Sequence, residues 1–103
     1  MLTLGRIIDE IWEIRREQEG SGQDLAILLD LERHEITSVP LDADYRMQPH
    51  KLHLLRLPAW ELGGSSIEER SLLWEEGELA FCAYAIDVLS RDADIQDYLR
   101  RRN

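Results

Sequence analysis

One cysteine, Cys82, stands among the 103 residues. No disulfide can close within the chain, which excludes the disulfide-stapled secreted scaffolds and points to a reducing, cytoplasmic setting. Long apolar runs are missing as well. The longest, Leu79–Ile86, stops at Asp87, far short of the roughly 20 residues a membrane span needs. The opening decapeptide, MLTLGRIIDE, has no basic region followed by an apolar one, so it does not read as a secretory leader. Basic residues are few, 12 against 21 acidic, for a net charge of −9. Phosphate contacts need a basic footprint, so direct nucleic-acid binding is disfavoured.

The motifs of common catalytic and metal chemistry are absent too. There is no C-x-x-C, no H-E-x-x-H, no Glu-x-x-His pair and no glycine-rich phosphate cradle. Cys82 lies in the apolar run Phe81-Cys82-Ala83-Tyr84, where burial raises a thiol pKa and makes a poor nucleophile. No cofactor is implied. His50 and His53 form an H-x-x-H, which on one helical turn puts two imidazoles side by side. A zinc site needs further ligands, and His34 and Cys82 are candidates if the fold brings them near.

Composition suits a single globular domain spanning residues 1–103, with 44% hydrophobic residues and enough length for one core. Leu4, Ile7, Ile8, Ile11 and Ile14 recur at three- and four-residue spacing, which predicts an amphipathic helix over 4–19, capped by Thr3 and ended by Gly20-Ser21-Gly22. Residues 23–34 fit both a helix and strand alternation. Their leucine-rich composition favours a helix, and continuation into Glu35–Val39 favours a strand; helix is the reading adopted.

The three prolines, Pro40, Pro49 and Pro58, fall together in 35–64, which predicts an irregular or short-β insertion. Ser66 and Glu69 form a capping box for a helix over 67–89, interrupted at Gly77. Asp92 begins a last helix over 93–102, with Arg100–Arg102 at its negative end. The expected fold is therefore mostly α, a three- or four-helix domain. The alternative is α+β, with a small hairpin from the middle third packed on helices.

The function these features favour is a non-enzymatic protein-binding module: an adaptor, an assembly chaperone or an inhibitor of a basic protein. The acidic balance steers a basic partner toward the chain. Leu52, Leu54, Leu57 and Trp60, in the weakly determined third, are the candidate partner contacts. Leu79, Ala83 and Ile86, on a helix apolar nearly all round, are the candidate self-association contacts of a homo-oligomer. Two other readings compete: a small metal-dependent enzyme or sensor using His34, His50 and His53, and an acidic mimic of nucleic acid.

Overall fold

The computed structural model describes residues 2–18, 23–42, 44–57 and 77–101. Helix α1 spans Leu4–Glu17. The Thr3 hydroxyl accepts from the Arg6 amide at 3.1 Å, a cap worth about 1 kcal/mol. Arg6 pairs with Glu10 one turn on, while Ile7, Ile8 and Ile11 turn inward. Arg15 is buried as well, its guanidinium 4.9 Å from the Trp12 ring.

Three strands follow: β1 (Leu25–Asp30), β2 (Glu35–Pro40) and β3 (Lys51–Leu57). They form an antiparallel sheet of order β2-β1-β3. The helix predicted over 23–34 is thus corrected: it is the central strand and a hairpin turn. All six residues of β1 are buried. A strand covered on both faces reads as a continuous apolar run, with no alternation to betray it.

The turn has its own chemistry. Asp30 Oδ1 accepts from the amides of Glu32 at 2.9 Å and Arg33 at 3.0 Å. The His34 amide donates to the Asp30 carbonyl at 2.8 Å. His34 itself has φ 54°, a left-handed conformation costing about 1 kcal/mol for a residue with a Cβ. These bonds turn the chain in four residues and pair Asp30 with Glu35.

On the other side of β1, Ile27 faces Leu55 but Leu28 faces His53. Leu54 is the extra residue of a β-bulge, so consecutive Leu54 and Leu55 both reach the core.

Two helices complete the described fold: α2 (Glu78–Ser90) and α3 (Ala93–Arg101). Asp92 Oδ1 caps α3 through the amides of Asp94 and Ile95. The Gln96 side chain donates back to the Leu89 carbonyl at the end of α2. Helix α1 lies against β2, and α2 and α3 lie against β3. One core joins Ile7 and Ile11 of α1, Ile27 and Leu29 of β1, Phe81 and Leu89 of α2, and Ile95 of α3.

Of the described residues 47% are helical and 25% are in strands, which makes the fold α+β and overturns the mostly-α expectation. The class is the one weighed second, but its hairpin comes from 25–40 rather than from the middle third alone. Helix α2 begins at Glu78 with Gly77 as its cap. The rest of the predicted 67–89 helix, with the Ser66 capping box, lies outside the described residues. The second sheet face carries Ala26 and Leu28, both buried. Residues of the 41–51 segment, among them Tyr45, Arg46 and Gln48, combine with Leu28 and Val39 to line a cleft of about 240 Å³.

Candidate functional site

Helix α2 is apolar around nearly its whole circumference, yet the fold uses one side of it. Phe81, Ala85 and Leu89 are buried. At about 100° per residue, Leu79, Ala83 and Ile86 fall within roughly 60° of arc on a different side. That side is open: Leu79 is 88% exposed, Ile86 is 43% exposed, and Ala83 is exposed between them. Large, small and large side chains at these positions make a shallow saddle.

Ionisable residues neighbour it along the helix. Cys82, half-buried, sits on its α1 side. Burial first, then the charges of Glu78 and Asp9, push the Cys82 thiol above its ordinary range. Both carboxylates therefore lie close enough to be felt there. On the far side Asp87 pairs with Arg91 at 2.8 Å.

The other candidate contacts fare differently. Leu54 and Leu57 are 3% and 1% exposed and belong to the core, so they offer no surface to a partner. Leu52 is half-buried opposite Leu29 and packs against the same core. Trp60 lies outside the described residues.

No family model, curated protein or solved structure matches this chain.

The three histidines do not meet. His34 Nδ1 lies 3.0 Å from the Tyr98 hydroxyl. That hydroxyl also accepts from the Leu2 amide at 3.0 Å. The one hydroxyl thus ties the chain start and the hairpin to α3. His53 sits within β3, half-buried, opposite Leu28. Residues 51–57 are extended, so the helical turn that would align His50 with His53 does not exist.

His50 instead keeps company with Asp30 and Glu32, the one group of three or more metal-ligand side chains found among the described residues. The amide of Arg33 holds the Asp30 carboxyl below its ordinary 3.8; burial opposes this, and the Glu32 amide, His50 and Lys51 reinforce it. This group is not legible in the sequence while 23–34 reads as a helix, on which Asp30 and Glu32 are not turn residues. The usable signal was Asp30 at the end of an apolar run, two residues before an acidic and basic pair.

Burial pushes the His53 imidazole below its ordinary 6.5, and Asp92 offsets part of that shift. A folded-state pKa below the unfolded one means the unfolded chain binds the proton more readily. The His53 contribution is therefore complete above pH 6.5 and is lost as pH falls through the lower folded value. Melting temperature measured from pH 7.5 to 5 is expected to fall more steeply for the wild type than for His53→Gln. Superimposable slopes would show that His53 does not titrate differently on folding.

Proposed function

We propose that this chain is a protein-binding module whose docking face is the outer side of α2 and whose partner presents a basic amphipathic helix. The observation that carries this is the exposed saddle Leu79-Ala83-Ile86 on a helix with apolar residues to spare. The i, i+4, i+7 spacing of these residues is that by which one helix packs its apolar seam against another. The chemistry of the rim selects the partner. Glu78 and Asp87 lie beside Leu79 and Ile86 in the chain, and the protein carries −9 overall. Basic side chains flanking an apolar seam complement that rim, and electrostatic steering speeds their encounter.

A second copy of the same chain is a poorer match, because two molecules at −9 repel. The two occupants have opposite salt dependence. Screening weakens the basic partner and relieves repulsion between copies.

The test is an NMR titration with a synthetic leucine–lysine amphipathic peptide at 50 and 300 mM salt. The expected result is saturable binding with shifts centred on Leu79, Ala83 and Ile86, weaker at high salt. Leu79→Ser with Ile86→Ser should lower affinity at least about tenfold, since truncating anchors costs more than 1 kcal/mol. Folding stability should stay within about 0.5 kcal/mol, because both residues are at the surface. Shifts elsewhere, or equal affinity in the double variant, would overturn the assignment. Saddle shifts that grow with protein concentration and with salt, without peptide, would replace the basic partner by a second copy.

A further inference from the structure

The hairpin end carries a second arrangement that protein docking does not use. One ligand atom each from Asp30, Glu32 and His50 lies within 4.8 Å of the other two. We propose that these three side chains form a site for one divalent transition-metal ion of the zinc class.

The fold prepares the three donors unequally. Asp30 is 8% exposed, and its Oδ1 is fixed by two turn amides. Its carboxylate is therefore a rigid floor. His50 belongs to the turn leading into β3, and its carbonyl accepts from the Leu31 amide at 2.8 Å. That bond straps the His50 backbone to the hairpin tip, although 20 residues of sequence separate it from Asp30. Glu32, at the tip, is exposed. Among the described residues, neither the Glu32 carboxylate nor the His50 ring makes a hydrogen bond. Both are left for a ligand or for water.

The donor set decides the ion. Two carboxylates match a double positive charge. One imidazole favours zinc and its neighbours over magnesium or calcium, which prefer oxygen alone. Zinc holds nitrogen and oxygen at about 2.0–2.2 Å, so tetrahedral donors stand roughly 3.3 Å apart. The three atoms must draw together by about 1.5 Å at most, which rotation of Glu32 and His50 can supply. Three protein ligands leave a fourth position to water, the pattern of open zinc sites. Lys51 opposes binding. It pairs with Asp30 across the strands, and its charge is felt by that carboxylate. The affinity expected is thus micromolar rather than nanomolar.

The experiment is calorimetric titration of the metal-stripped full chain with ZnCl₂, and in parallel with MgCl₂. The proposal expects one zinc per chain and no saturable magnesium binding. His50→Ala and Glu32→Gln should each weaken zinc at least about tenfold, while His34→Ala and His53→Ala leave it unchanged. In the wild type, NMR should show the His50 ring resonances moving with zinc and those of His34 and His53 standing still. That readout holds even if a variant fails to fold. Absence of stoichiometric zinc binding would overturn the proposal. So would binding that survives in His50→Ala, or that moves the His34 or His53 ring instead.

Discussion

Replacing Phe81 by alanine is expected to remove about 3–5 kcal/mol of folding stability. Phe81 is the only phenylalanine in the chain and is 1% exposed. Its ring stands 5.6 Å from that of Trp12, tilted by 53°, and the Arg15 guanidinium lies 6.0 Å above it. Truncation opens a cavity between α1 and α2 and removes a tilted ring pair, itself worth about 0.5–1.5 kcal/mol beyond area burial. It also strips a neighbour from the buried Arg15. A domain of this size has a total of about 5–15 kcal/mol, so the variant stands near the edge of folding. Urea unfolding measures this directly: the midpoint should fall with the slope unchanged. Phe81→Leu, which keeps most of the volume, should recover more than half of the loss. A loss below about 1.5 kcal/mol in Phe81→Ala would mean that α1 and α2 close over the gap and that the ring is not a keystone.

Tyr98 is the second position of large effect, for a different reason. It is 4% exposed, and its hydroxyl touches two distant parts of the chain, the Leu2 amide and His34 Nδ1. The aromatic body packs in the core beside Ile95. Tyr98→Ala is expected to cost about 3–5 kcal/mol, the range for losing a buried aromatic side chain. Tyr98→Phe keeps the ring and isolates the hydroxyl. It should cost about 1–3 kcal/mol, because a part-buried amide and a ring nitrogen lose their partner together. His34→Ala, alone and in the Tyr98→Phe background, completes the four-cornered cycle. A coupling near zero would show that the 3.0 Å approach of His34 to Tyr98 contributes nothing, and the hydroxyl would then act through Leu2 alone.

The helices were legible wherever one face met solvent. The spacing of Leu4, Ile7, Ile8 and Ile11, with Thr3 as cap, marks α1 to within two residues of its end. Asp92 at the start and the arginines at the end mark α3 in the same way. What failed was β1. Period-two alternation is visible only when one sheet face is wet, and Leu25–Asp30 has neither face wet. Leu, Ala and Ile in an unbroken run carry no period, so composition tipped the reading toward a helix. With β1 misread, its turn disappeared as well, and with it the meeting of Asp30 and Glu32 with His50.

The bulge at Leu54 hid a second feature. It breaks the alternation in β3, so that Leu52, Leu54, Leu55 and Leu57 looked like a loose apolar segment awaiting a partner. The fold packs them on β1 and the helices. The saddle on α2 was legible for the converse reason. A helix apolar on every side has more greasy surface than a domain of 103 residues can cover.

The burial of β1 also bears on how this molecule comes apart. Its backbone is bonded to a neighbour along each flank, and its side chains floor the interior on one side and the 41–51 segment on the other. Melting of β2 or β3 strips a flank from this strand, and melting of the helices uncovers its inner face. Denaturation should therefore be a single cooperative event, with tryptophan fluorescence and the far-ultraviolet signal of the backbone changing at one shared midpoint.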